Sequence, residues 1–128
     1  MLNILVIDDD PAMTDLLKLL LRPTGATIQT ANEGKTGIEI AKETQPNLII
    51  LDLMMPEMDG WQVCTEVRTF SDTPILILSA LDSPGMVAAA LDSGADDYLI
   101  KPVTSSVLIA HINNLVRRTN VEKNRVLI

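Results

Sequence analysis

The sequence predicts an α/β fold: a doubly wound, five-stranded parallel sheet with helices on both faces. Three observations carry that prediction. Residues 3–7, 48–51 and 75–78 form short, unbroken apolar runs, the pattern of strands buried on both faces. Segments with apolar residues three and four apart alternate with these runs. The order gives five βα units, and right-handed crossovers close such units into one sheet.

Taken in order, Asn3-Ile4-Leu5-Val6-Ile7 is the first strand. Asp10-Pro11 then supplies a helix cap and a first-turn proline, whose missing N–H has no intrahelical partner to lose. Met13, Leu16, Leu17, Leu20 and Leu21 follow at helical spacing and predict an amphipathic first helix. Residues 27–30 are a weaker strand, nearer the sheet edge, and 33–43 a second helix. Leu48-Ile49-Ile50-Leu51 is the third strand, followed by a turn at Asp59-Gly60 and a helix over 61–70. Ile75-Leu76-Ile77-Leu78 is the fourth strand, with a helix over 84–93. Residues 97–100 are a further edge strand, and 105–118 the last helix, with Leu108, Ile112 and Leu115 on one stripe. The functional crevice of such a sheet lies beyond the carboxyl ends of its strands.

Composition narrows the function classes. A chain of 128 residues suits one domain with one core. Cys64 is the sole cysteine, so an intramolecular disulfide and a multi-cysteine metal site are excluded, and its expected role is core packing. No apolar run reaches the roughly 18 residues of a membrane span, and Met1-Leu2-Asn3 lacks the start of a signal peptide. A cytoplasmic protein without membrane contact is expected. The net charge of −7 argues against direct nucleic-acid binding by this domain, since phosphate backbones attract basic surfaces. That charge is uneven: Arg117, Arg118, Lys123 and Arg125 face only Glu122 near the end, so the acidic excess belongs to the body.

The topology brings chemistry together. Asp8 and Asp9 end the first strand, Asp52 the third, Ser79 the fourth and Lys101 the fifth, so these groups converge at one edge of the sheet. Crowded carboxylates repel one another unless a cation neutralises them. Mg²⁺ is a hard ion that takes carboxylate and phosphate oxygens while keeping several waters. With such an ion, the Asp52 carboxylate can attack phosphorus and form an aspartyl phosphate, while Lys101 and Ser79 bind phosphoryl oxygens.

Five signatures stand in order: Ile4-Leu5-Val6-Ile7-Asp8-Asp9-Asp10, Leu51-Asp52-Leu53-Met54-Met55-Pro56, Asp59-Gly60, Leu78-Ser79-Ala80 and Gly94-Ala95-Asp96-Asp97-Tyr98-Leu99-Ile100-Lys101-Pro102. Over roughly residues 2–118 the chain resembles the receiver domain of bacterial two-component response regulators. The resemblance implies a flavodoxin-like sheet of order 2-1-3-4-5 with five helices, and a receiver domain over 1–118. It implies Asp52 as phosphoacceptor for a sensor histidine kinase or phosphotransfer protein. Asp9, Asp52 and the backbone carbonyl of Met54 would bind Mg²⁺ directly, and Asp8 through a coordinated water. It further implies a cis Lys101–Pro102 bond aiming the ammonium at the site, with Ser79 and Tyr98 as a switch pair. That switch would act at the surface of the fourth helix, fifth strand and fifth helix, where receivers often form homodimers or meet partners. The protein would be a regulatory phosphoacceptor, catalysing only its own phosphorylation and dephosphorylation. Residues 119–128 read as a tail or the start of a linker to an output domain. Arg117-Arg118-Thr119-Asn120 resembles a helix end, and the apolar Val126-Leu127-Ile128 suggests an excised N-terminal domain.

Two departures qualify the resemblance. Met86-Val87-Ala88-Ala89-Ala90-Leu91 is uncharged, and His111, Asn113 and Asn114 stand where basic residues are frequent, which favours an apolar contact over a charged dimer. Met54 and Leu81 flank the phosphoryl position with apolar groups, so slow self-dephosphorylation is expected. Asp10 reads as a helix cap, His111 as a surface or interface residue and not a phosphodonor, and Met54, Met55 and Met58 as loop fillers on a loop that a partner kinase would approach. A haloacid-dehalogenase-type phosphatase would want a second Asp where Met54 stands. A flavin-nucleotide carrier would want a glycine-rich phosphate loop where Asp8-Asp9-Asp10 would repel phosphate. A pseudo-receiver that only binds protein would usually lack one of these groups.

Overall fold

The computed structural model describes the backbone of residues 2–127 and side chains through Thr119. β1 (Asn3–Ile7), β2 (Thr27–Ala31), β3 (Leu48–Leu51), β4 (Ile75–Ser79) and β5 (Asp97–Ile100) alternate with α1 (Pro11–Leu20), α2 (Gly34–Thr44), α3 (Gly60–Val67), α4 (Pro84–Asp92) and α5 (Ser105–Leu127). The strands are parallel, as the apolar runs predict, and ordered β2-β1-β3-β4-β5, as the family resemblance implies.

Side chains alternate across a strand, so each apolar run fills two cores. Leu5, Ile7, Ile49, Leu51, Ile75 and Ile77 pack on the face covered by Ile38 of α2, Val63 of α3 and Ala90 of α4. Ile4, Val6, Leu48, Ile50, Leu76 and Leu78 pack on the other, against Leu17 of α1 and Leu108, Ile112 and Leu115 of α5. This double burial explains why the three central strands carry no polar alternation. It also leaves the carboxyl ends of β1, β3 and β4 as the first places where polar groups can stand.

The helices start as their sequence directs. Asp10 caps α1 by accepting from the Ala12 N–H at 3.0 Å, with Pro11 in the first turn. Asp59 does more than turn the chain: it caps α3, accepting from the Gln62 N–H at 2.9 Å. Asp59 followed three residues later by Gln62 is itself a helix-start signature. Three details differ from the sequence reading. Leu16, on the predicted apolar stripe of α1, is 45% exposed, because Leu17 and Leu21 occupy the buried face. Helix α3 ends at Val67, and residues beyond it tighten into a turn through Thr69 N–H to Glu66 and Phe70 N–H to Val67. Helix α5 continues past the end expected near 118 to Leu127, since neither proline nor glycine interrupts that stretch. The side chains of Val126-Leu127-Ile128 lie outside the described residues. Among the described residues no helix is long and apolar enough to cross a membrane.

Candidate functional site

Strand register builds the site. Ile7 of β1 pairs with Leu51 of β3, so the next residues, Asp8 and Asp52, leave adjacent central strands side by side. The Asp52 N–H donates to the Ile7 carbonyl at 3.0 Å, extending that pairing by one step. Asp8 is fixed from two more directions: its N–H donates to the Ala31 carbonyl at 3.1 Å, and Asn32 Nδ2 donates to its carbonyl at 2.8 Å. On the far side, Ser79 pairs with Ile100, and the Lys101 N–H donates to the Ser79 carbonyl at 2.9 Å.

Asp8, Asp9 and Asp52 each present a carboxylate oxygen within 4.8 Å of the others. Asp8 and Asp52 are buried and Asp9 is exposed at the rim. Lys101 Nζ lies 2.8 Å from Asp8 Oδ2 and 3.6 Å from Asp52 Oδ2. Burial pushes the Asp52 carboxyl above its ordinary value; the Lys101 ammonium works against this, and the Asp8 charge adds to it. Burial acts to lower the Lys101 ammonium, but its bond to Asp8 and the charges of Asp52 and Asp8 outweigh that and hold it raised. Among the described residues, one ammonium thus stands against three carboxylates. The donors are all hard oxygens, and a carboxyl already strained by burial and a like charge is the setting a divalent cation relieves. The residues fit Mg²⁺.

The other residues singled out from sequence surround this cluster at different ranges. The Met54 N–H donates to Asp52 Oδ1 at 3.4 Å, and its side chain is exposed. Ser79 is fully buried, and its Oγ accepts from the Leu81 N–H at 3.3 Å. Tyr98 stands beside the cluster: its hydroxyl donates to the Leu81 carbonyl at 2.6 Å, on the loop that follows Ser79, and lies close to the Ser79 hydroxyl. The Lys101–Pro102 peptide bond is cis. His111 is half-buried, with Nδ1 2.6 Å from Asp97 Oδ2.

Two residues support the site without taking part in its chemistry, and the sequence reading passes over the first and takes the second only as part of a turn. Asn32 secures the Asp8 main chain, and nothing local marks it. Gly60 sits where a Cβ would collide with the Asp52 carbonyl oxygen and stand 2.7 Å from Leu53 Cα, so the loop after Asp52 closes only over a glycine. Its N–H donates to the Leu53 carbonyl at 2.9 Å.

Residues 4–113 match the sequence model of the response regulator receiver domain. The chain is 43% identical over 121 residues to the response regulator MprA of Mycobacterium ulcerans, covering 94% of this chain and 52% of that protein. It is 43% identical over 121 residues to the DNA-binding dual master transcriptional regulator RpaA of a Synechocystis species, covering 92% and 50%. It therefore spans about half the length of these curated relatives. Among solved structures, a two-component response regulator from Clostridium difficile superposes with a TM-score of 0.89 at 32% identity, covering 94% of this chain and 99% of that one. The BeF3-activated N-terminal receiver domain of Klebsiella pneumoniae RstA gives 0.85 at 30% identity, covering 90% and 98%.

Proposed function

The chain belongs to the response regulator receiver family of two-component signalling, and from that premise we propose that it is a switch phosphorylated on Asp52 by a sensor histidine kinase or phosphotransfer protein. The observation that carries this reading is the meeting of Asp8, Asp9 and Asp52 within 4.8 Å beneath one ammonium. Asp9, Asp52 and the Met54 carbonyl would hold Mg²⁺, with Asp8 behind a coordinated water. When bound, the ion neutralises carboxylate charge and orients the phosphodonor.

An Asp52 carboxylate oxygen attacks phosphorus, the bond from phosphorus to the donor nitrogen or oxygen breaks, and the leaving group departs with that electron pair. Lys101, 3.6 Å from Asp52 Oδ2, pairs with the new phosphoryl oxygens, and the Ser79 hydroxyl donates to another. Phosphorylation adds roughly −1.5 to −2 charge at neutral pH. Drawing the Ser79 hydroxyl toward that charge releases its contact with the Leu81 N–H, and so disturbs the loop on which Tyr98 is hydrogen-bonded. Tyr98 then transmits the change to the α4-β5-α5 surface, where Met86, Leu91, Ile100 and Val107 are exposed. An apolar homodimer or an output domain is the reading for that surface.

The role is regulatory rather than metabolic, in the cytoplasm, without membrane contact or direct nucleic-acid binding by this domain. The test is intact-mass spectrometry after incubation with acetyl phosphate, with and without Mg²⁺, on wild type and Asp52→Ala. One added phosphoryl group that needs both Mg²⁺ and Asp52 is expected. Addition to Asp52→Ala would overturn the assignment, and sustained turnover of a small phosphate ester would favour a phosphatase.

A further inference from the structure

The chain contains one histidine, and it is placed where its charge matters. His111 Nδ1 lies 2.6 Å from Asp97 Oδ2, joining α5 to β5. The other oxygen of the same carboxylate, Asp97 Oδ1, accepts from the Tyr98 N–H at 2.8 Å. From Tyr98 the contacts continue through its hydroxyl to the Leu81 carbonyl, and from the Leu81 N–H to Ser79 Oγ. One carboxylate therefore holds both the histidine and the backbone of Tyr98.

Among the described residues, little else on these elements competes for the imidazole charge. One helical turn away, α5 offers Val107, Leu108, Asn114 and Leu115, none of them ionisable. The neighbouring α4 carries only Asp92, and Asp96 on the loop before β5 is committed to Arg68 at 2.8 Å. A free histidine changes charge near pH ~6.5, inside the physiological range. Protonated, His111 makes a charge-assisted bond to Asp97; neutral, it keeps at most an ordinary one.

We propose that the His111–Asp97 pair is a proton-sensitive latch, through which pH sets how readily Tyr98 and Ser79 leave the arrangement seen here. This rests on the proposed switch at Asp52. Acid holds the latch closed and opposes the phosphorylated conformation; neutral or alkaline pH loosens it. Linkage is reciprocal, so adopting the phosphorylated conformation must in turn make His111 release its proton more easily.

The test uses beryllofluoride with Mg²⁺ as the phosphoryl mimic and follows the single imidazole by its Cε1–H resonance. The histidine resonance should titrate at lower pH in beryllofluoride-saturated protein than in free protein, and beryllofluoride should bind about threefold more tightly at pH 8 than at pH 5.5 from this source alone. His111→Gln, which keeps a hydrogen-bond donor without a titrating charge, should lose that threefold component and keep the pH dependence common to both proteins. A histidine titration unmoved in beryllofluoride-saturated protein, or identical pH profiles for wild type and His111→Gln, would overturn the latch while leaving the phosphoryl site standing. Failure of wild type to bind beryllofluoride at all would overturn the phosphorylation reading, and the latch with it.

Discussion

Lys101 Nζ is bonded to Asp8 Oδ2 at 2.8 Å and stands 3.6 Å from Asp52 Oδ2, so this cation leans on the carboxylate that is not the proposed phosphoacceptor. Replacing it leaves buried acids unpaired. Lys101→Met should lower the stability of metal-free protein by about 1–3 kcal/mol at pH 7, the cost of losing a hydrogen bond between charged groups. Acetyl phosphate labelling should fall at the same time, because the phosphoryl oxygens lose their pairing charge. Urea unfolding in EDTA and intact mass check the two effects; full labelling in Lys101→Met would exclude the lysine from the chemistry.

Asp52 has the opposite sign. Burial, with Asp8 adding, raises its carboxyl, so its folded value lies above its unfolded one. A carboxyl raised in this way contributes stability at pH values below its unfolded value and loses that contribution as pH rises through the folded value. Asp52→Asn should therefore be more stable than wild type at pH 7 in EDTA, with the gap closing as pH falls toward 4. Mg²⁺ should reverse the order: at a hundredfold excess over Kd it adds about 2.7 kcal/mol to wild type and less to the variant. Unfolding curves in EDTA and in Mg²⁺ at both pH values decide this; equal Mg²⁺ gains in the two proteins would remove Asp52 from the ion site.

These two predictions concern residues whose meeting is legible in the sequence, because each stands at the carboxyl end of a predicted strand. Asp8, Asp52, Ser79 and Lys101 inherit their positions from the register Ile7 to Leu51 and Ser79 to Ile100. What pattern cannot reveal is contact across loops. Asn32 reaches Asp8 from 24 residues away, and Arg68 reaches Asp96 from 28, with no periodicity to mark either. Helix ends fail for a related reason. Residues 117–127 lack any breaker, so a basic cluster at Arg117-Arg118 reads as an end although the helix runs on to Leu127.

Arg68 illustrates the hidden class. Its guanidinium donates to the carbonyls of Gly94, Ser71 and Thr73 and to Asp96 Oδ2, tying the end of α3 to the loops on either side of β4 and α4. An ammonium cannot reproduce that planar fork. Arg68→Lys should cost about 2 kcal/mol by urea unfolding, from several bonds to a charged donor, while acetyl phosphate labelling stays within about twofold. A large loss of labelling in folded Arg68→Lys would mean that this clamp reaches the site.

Cys64 offers a separate pH signature. Burial pushes its thiol up to about 11, whereas in the unfolded chain it ionises near its ordinary value of 9.0. The fold therefore holds it neutral, and above pH 9 the unfolded chain gains by releasing the proton. Stability should fall as pH rises between 9 and 11, by about 1 kcal/mol at pH 10 relative to pH 8 from this group. Cys64→Ala is less stable throughout because a buried side chain is shortened, but it should lack this component. Parallel pH dependences for wild type and variant would show that the thiol ionises alike in both states.

Gly60 tests whether the backbone after Asp52 is as constrained as the site requires. A methyl group there meets the Asp52 carbonyl oxygen and Leu53 Cα, both main-chain atoms that cannot swing aside as a side-chain end can. Gly60 also begins α3, behind the Asp59 cap, so displacement spreads into the segment that carries Met54. Gly60→Ala should cost about 1–3 kcal/mol from overpacking. The sharper expectation is for Mg²⁺ affinity, which should fall about tenfold or more, as when a residue supporting metal ligands is lost. Gly85→Ala, whose added Cβ has only Ser83 Oγ nearby at 3.9 Å, serves as the control and should leave Mg²⁺ affinity unchanged. Calorimetric Mg²⁺ titration of the two variants separates the cases. A Gly60→Ala protein that is less stable yet binds Mg²⁺ as wild type does would show that the loop relaxes without moving Asp52, and that the glycine serves packing alone.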